Sequence, residues 1–414
     1  MRRLTLALGV VFALWLAPGA FAAGWCGSGE NAGDLPDTVT SRQVHAIVAV
    51  PSDAPDAFAA QANQVADDVT SMVGWWAGQD PTRIPRFDQG LYGGSQCLDI
   101  SYVRLPSAAA AYAGVGANVA FRTIETQLVT AGFTSTYKKY LVYFFGSTAD
   151  FGVCGVGAGT LATGPAFAVV IPAGCPPVPT DTTATHELLH ALGAVPPGDP
   201  HCPADPGHPC DAPTDVLYPT TGGEPLSTKV LDYNHDDYYG HSFNWPDVQD
   251  SLWLHRLDQP QFGLAVVFTG GTGTVTSDLP GVDCNAACTT QWDAGTIVTL
   301  KAQGAAGADR FVRWTGACTG RTTCSVTLGQ AASVGAVFGP LRIPLRVSAL
   351  GRGRVACSPK CGTTFAAGST LRLTAVAAKG WKFAGWTGAC RGTRLTCTPA
   401  TDYSVTATAR FTKR

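Results

Sequence analysis

Two histidines and a glutamate in the run Thr182 to His201, TTATHELLHALGAVPPGDPH, carry the most specific chemistry in the chain. His186, Glu187 and His190 form the pattern HExxH, and Gly193 follows three residues after the second histidine. On an α-helix, positions four apart return to nearly the same face, about 40° off register. His186 and His190 can therefore grip one metal ion, while Glu187 points beside that face and can take a proton from a water. This is the division of labour of a zinc hydrolase, with one catalytic Zn²⁺ as the implied cofactor. A third ligand has to come from elsewhere. The expected one is His201, the nearest histidine after the turn, with His208 as the alternate; both suit ligation by neutral imidazole.

The elements around the motif are those such a site needs. Asp181 or Thr182 can cap the helix start, Ala184, Leu188, Ala191 and Leu192 give a buried stripe, and Gly193 followed by Pro196 stops it. Upstream, Val44 to Val50 reads as a buried strand in which His45 is structural. Ser52 and Pro55 then open a helix with Phe58, Ala62, Val65, Val69, Met72, Val73 and Trp76 at helical spacing. Leu98 to Leu105, Tyr140 to Phe145 and Phe167 to Ile171 read as further strands, and Val119 to Val129 as a second helix. Strands alternating with helices imply an α/β layer with a twisted, mostly parallel sheet, the metal helix packed beneath it.

After the motif, residues Gly193 to Tyr218 form a Pro-, Gly- and Asp-rich loop carrying both candidate third ligands. Cys202 and Cys210 bracket most of it, and a bond between them would hold the loop beside the helix. The dense run Leu231 to His241, LDYNHDDYYGH, suits a second cation such as Ca²⁺ or the wall of a substrate cleft. A hydrogen-bonded surface loop fits it equally, because its spacing matches no calcium loop. Asn244 and Pro246 are expected to open a closing helix through Val248, Leu252, Trp253 and Leu257.

The 414 residues suit two to three domains, and 45% hydrophobic with 14% charged residues is a folding composition. Arg2 and Arg3, the apolar run Leu4 to Leu16 and the small-x-small site Ala20-Phe21-Ala22 predict a signal peptide over residues 1–22, cleaved before Ala23. No later segment is long and apolar enough to span a bilayer, so the expectation is a secreted protein. Fourteen cysteines, six before residue 211 and eight after residue 283, read as a disulfide framework in an oxidising compartment. Cys26 is most simply paired with Cys97. Charge divides unevenly, with nine basic and 28 acidic residues from Ala23 to Leu300 against 17 basic and two acidic from Lys301 to Arg414. A basic tail on an exported chain suggests an anionic surface partner, such as cell-wall polymer, rather than nucleic acid.

The tail repeats itself. Cys284-x3-Cys288, Trp314-Thr-Gly-Ala-Cys318 and Cys324 recur as Cys357-x3-Cys361, Trp386-Thr-Gly-Ala-Cys390 and Cys397 at an offset of 72 or 73 residues. Short Thr-, Val- and Gly-rich runs around them predict two small β-rich modules, 263–340 and 341–414, each stapled by its own disulfides.

The HExxHxxG core, with Asp215-Val216-Leu217-Tyr218 downstream, resembles the metzincin clan of zinc endopeptidases. The resemblance implies an α/β catalytic domain over residues 23–262 that hydrolyses protein or peptide substrates, with Glu187 as general base. The chain departs from the clan twice. Pro196 stands where the clan places its third histidine, and Leu217 stands where it places a turn methionine. Tyr218 is placed to steady an oxyanion, as similar turn tyrosines do in some members. The repeats resemble divergent internalin-type B-repeats, whose Trp-[Ser/Thr]-Gly-Ala-Cys signature they carry, which implies a bacterial origin and an attachment role. The rival expectation is a non-catalytic surface or adhesion protein whose metal site is structural and whose basic repeats do the binding. A fourth protein ligand closing the metal would favour it, because structural zinc sites are closed and catalytic ones stay open.

Overall fold

The computed structural model describes residues 24–26, 33–35, 37–92, 95–146, 153–159, 164–173, 178–195, 202–220, 223–401 and 403–414. The expected signal peptide and His201 lie outside the described residues. The chain divides into two units, Met1–Gln259 and Pro260–Arg414.

In the first unit the chain runs β1 (Trp25–Cys26), β2 (Gln43–Val50), α1 (Phe58–Gln79), β3 (Arg83–Pro85), β4 (Gln89–Tyr92), β5 (Ser95–Arg104), α2 (Ala117–Thr130), β6 (Lys138–Phe144), β7 (Gly155–Ala158), β8 (Phe167–Val170), α3 (Thr180–Leu192) and β9 (Leu254–Arg256). The main sheet has the order β1-β5-β2-β6-β8-β7, with β4 also on β5. Neighbours from β1 to β8 are parallel, whereas β4 on β5 and β7 on β8 are antiparallel. The sheet is therefore mixed, with a parallel interior.

Strand alternation explains the layers. Along β2, Val44, Ala46, Val48 and Val50 face one way and pack with α1 and α3, while Ile47 and Ala49 face the other and pack with α2. The stripe Phe58, Ala62, Val65, Val69, Met72 and Trp76 buries α1 at the spacing the sequence predicts. His45 is fully buried and structural, its Nδ1 2.9 Å from Asp88 and its Nε2 2.9 Å from the Ser101 hydroxyl. The Cys26–Cys97 disulfide ties the start of the unit to β5.

Two expectations are corrected. No closing helix forms: Val248–Asp250 is a single 3₁₀ turn and β9 pairs antiparallel with β3. The Asp247 carboxylate accepts the backbone N–H groups of Gly240, His241 and Gln249, which holds the chain in a turn. Val248, Trp253 and Leu254 are buried but Leu252 is 54% exposed, so the apolar residues never share one helical face. The helix α3 that carries the HExxH pattern also begins at Thr180, and its N-cap, Pro179, makes no side-chain cap; Asp181 lies within the first turn rather than before it.

The second unit is built twice from one plan. In the first repeat the strands Cys288–Asp293, Gln261–Thr269, Ala332–Pro340 and Asp309–Gly316 form one sheet, and a smaller antiparallel sheet holds Gly273–Ser277 and Ile297–Gly304. The second repeat matches it with Arg342–Leu350, Val405–Lys413 and Trp381–Gly388 in one sheet and Gly353–Ser358 with Arg372–Ala377 in the other. In each repeat the first and last strands run parallel over six paired positions, Leu264–Thr269 on Ala332–Val337 and Leu345–Leu350 on Val405–Arg410. Disulfides Cys284–Cys288 and Cys318–Cys324 close in the first repeat, and Cys357–Cys361 and Cys390–Cys397 in the second. The signature tryptophans are buried and bond in the same way, Trp314 Nε1 donating to the Thr322 carbonyl at 2.6 Å and Trp386 Nε1 to that of Arg394 at 2.9 Å. No helix among the described residues is long and apolar enough to cross a membrane.

Candidate metal centre

Helix α3 packs across β7 and β8 with Ala184, Leu188, Leu189, Ala191 and Leu192 in the core. It stops at Gly193, whose φ of 98° suits a residue without a Cβ and whose N–H meets the carbonyls of His190 and Leu189. His186 and His190, one turn apart on this helix, turn their Nε2 atoms towards one point and lie 3.3 Å from each other there.

The third imidazole at that point belongs to His208. Its Nε2 lies 3.1 Å from that of His186 and 3.3 Å from that of His190. Three ligands of a tetrahedral zinc, each about 2.0 to 2.1 Å from the metal, would stand about 3.3 Å apart. The triangle therefore has the size of one face of such a site. Chemistry agrees with size. His186 Nδ1 is 2.8 Å from the carbonyl of Val216, which can only accept, so this nitrogen carries the proton and Nε2 presents a bare lone pair. Burial, aided by His208, pushes His186 down to about 4, and burial together with His186 and His208 pushes His190 well below the ordinary imidazole value. Three imidazole nitrogens converging on one point, two of them on rings whose burial disfavours the charged form, suit a cation.

His208 is held by a turn of its own. Its N–H donates to the Asp205 carbonyl, its carbonyl accepts from Cys202 N–H, and Asp205 Oδ1 lies 2.9 Å from its Nδ1, close enough to pair with the ring though outside hydrogen-bond alignment. Cys202 and Cys210, whose pairing the sequence leaves open, are free thiols that share a hydrogen bond.

Glu187 is buried beside this triangle. Burial raises its carboxyl to about 8, while a hydrogen bond from the Gly157 N–H works the other way. With His186, His190 and His208 it lines an open cleft of about 500 Å³ walled by Val153 to Gly157 of β7 and its approach, and by Pro219 and Thr220. Tyr218 is half-buried on the turn after Leu217 and is not among the lining residues, so the oxyanion role expected of it has no support from its position. Leu217 is fully buried, in the same core cluster as Leu188 and Leu189 of α3.

Several positioning residues carry no signal in the HExxH pattern. The carbonyl of Val216 orients His186, and Asp215 fixes that turn by accepting Leu217 N–H, Tyr233 N–H and the Tyr238 hydroxyl. The polar run Leu231 to His241 thus supports the turn under His186. Gly157 allows β7 to approach α3, because a Cβ there would stand 2.4 Å from the Glu187 carbonyl oxygen and 2.7 Å from His190 Cβ. Gly157→Ala is accordingly expected to destabilise the first unit by about 1 to 3 kcal/mol in urea unfolding and to weaken zinc retention. Unfolding and zinc content equal to wild type would contradict this account of the contact.

No curated protein and no solved structure matches the chain. Residues 264–341 and 343–414 each match the family model of the divergent InlB B-repeat domain. The modules stapled by Cys284–Cys288, Cys318–Cys324, Cys357–Cys361 and Cys390–Cys397 are thus similar to divergent InlB B-repeats, and together with their disulfides this suits an extracellular or surface protein.

Proposed function

We propose that the first unit is a secreted zinc metallopeptidase with His186, His190 and His208 as metal ligands and Glu187 as general base. The observation that carries this reading is the triangle of Nε2 atoms, 3.1 to 3.3 Å on a side, beside a buried carboxylate in an open cleft. Among the described residues three histidines converge there, the ligand number of a catalytic zinc that keeps its fourth position for water. A zinc ion held by them supplies Lewis acidity towards a carbonyl and lowers the pKa of a water to about 7.

The rest is done by the chain. Glu187, its carboxyl raised towards neutrality by burial, takes a proton from the attacking water and returns it to the departing amine nitrogen. Gly157 N–H holds that carboxylate in place. β7 ends the sheet among the described residues and walls the cleft, so its outer edge can pair with an extended backbone and lay it across the site. That favours a peptide over other hydrolysable substrates.

A second reading rests on the tail. The B-repeat matches and the 17 basic residues spread from Lys301 to Arg414 support attachment to anionic cell-surface material, either serving the peptidase or as the main role of the molecule. Purified protein is expected to carry about one zinc and to cleave a broad peptide library, with activity lost to a chelator and restored by zinc. Zinc-loaded protein that cleaves nothing would leave attachment as the function.

A further inference from the structure

A second group of oxygen donors lies away from the three imidazoles. Asp211, Asp236 and Asp237 bring carboxylate oxygens within 4.8 Å of one another. Asp211 and Asp236 are exposed, but Asp237 is only 4% exposed, and its buried Oδ2 has no hydrogen-bond partner among the described residues. The neighbouring buried aspartates differ in this respect. Asp232 accepts the N–H groups of Asp236, Asp237, Tyr238 and Tyr239, and Asp215 accepts those of Leu217 and Tyr233. The donors of the loop are thus committed to other carboxylates. The charges acting on Asp237 are Asp232, Asp211, Asp236 and Asp215, all of one sign, and burial with this repulsion raises it to about 7. A buried carboxylate facing two others without a donor asks for a cation.

We propose that Asp211, Asp236 and Asp237 form a calcium site. The donors are all hard oxygens, which suit calcium over zinc. Calcium–oxygen bonds of about 2.3 to 2.6 Å let two ligands of one ion stand up to about 5 Å apart, a span the three carboxylates satisfy. The two exposed members leave room for the waters that complete a six- to eight-coordinate shell.

The site joins two segments of the metal centre. Asp211 follows the loop that presents His208, and Asp236 and Asp237 belong to the loop whose Tyr233 and Tyr238 fix Asp215 under His186. A calcium ion clamps one to the other and so steadies the third imidazole against the first two. This assignment stands on oxygen donors separate from the histidines and holds whether or not the zinc site turns over peptides.

The test uses the full chain loaded with zinc, so that the imidazoles are occupied, and probes it with terbium and calcium. Trp245 Nε1 donates to the Asp237 carbonyl at 2.7 Å, which places an indole beside the site to sensitise bound terbium. Terbium emission excited through tryptophan is expected to saturate and to be displaced by calcium. Calcium at about 10 mM is expected to raise the melting temperature of the first unit by about 3 to 8 °C, given the weak affinities usual for extracellular sites. Asp211→Asn, an exposed change that spares the fold, and Asp237→Asn are each expected to weaken calcium binding by about 10-fold or more. Absence of sensitised emission, an undiminished calcium response in both variants, or an equal shift from magnesium chloride would each overturn the assignment.

Discussion

Glu187→Gln is expected to keep its zinc and lose peptide turnover by about 10² to 10⁴-fold, the range that a positioned general base contributes. The change conserves shape. A glutamine oxygen can still accept the Gly157 N–H that Glu187 accepts, and His186, His190 and His208 are untouched. What disappears is the group proposed to take the proton from water and return it to the leaving nitrogen. Burial disfavours the charged form of this carboxyl, so a neutral amide of the same shape adds no desolvation cost, and thermal stability is expected to hold. Turnover on a fluorogenic peptide, zinc content and melting temperature measured side by side separate the base from the ligands. Wild-type turnover in this variant would remove Glu187 from the mechanism.

His208→Ala is expected to lower zinc affinity by more than about 100-fold and to abolish turnover with it, since loss of a direct ligand exceeds the 10- to 100-fold effect of losing a supporting contact. His208 Nε2 closes the triangle with His186 and His190, and no side chain among the described residues stands ready to replace it. His201→Ala is the paired experiment and is expected to leave zinc content near one. Competition with a chromophoric chelator reads both. The opposite pattern, with zinc retained in His208→Ala and lost in His201→Ala, would hand the third position to His201.

Periodic features of the chain were legible before any coordinates. The stripe from Phe58 to Trp76, the alternation of β2 and the glycine stop at Gly193 each follow from a local rule that packing reinforces. The disulfide-stapled repeats were legible because cysteine and tryptophan recur at an offset of 72 or 73 residues. Tertiary competition hid the rest. The apolar residues from Val248 to Leu257 suggested a helix, but Asp247 holds three backbone N–H groups and Leu254 is claimed by the antiparallel pair with Pro85. His208 and His201 could not be ranked by distance along the chain, because what brings His208 round is a turn built on Asp205 and Cys202. Val216, which orients His186 through a backbone carbonyl, left no side-chain signature to read.

The parallel pairing of first and last strands in each repeat bears on how the molecule withstands mechanical load. When a tether pulls the two ends of such a module in opposite directions, neighbouring strands slide lengthwise. The hydrogen bonds along Leu264–Thr269 and Ala332–Val337, or Leu345–Leu350 and Val405–Arg410, are then stressed together rather than unzipped one after another. The short cysteine loops lie between those terminal strands, so a module that did yield would lengthen without severing any covalent staple. Two such modules in succession place two shear-loaded pairs of strands along one line of chain.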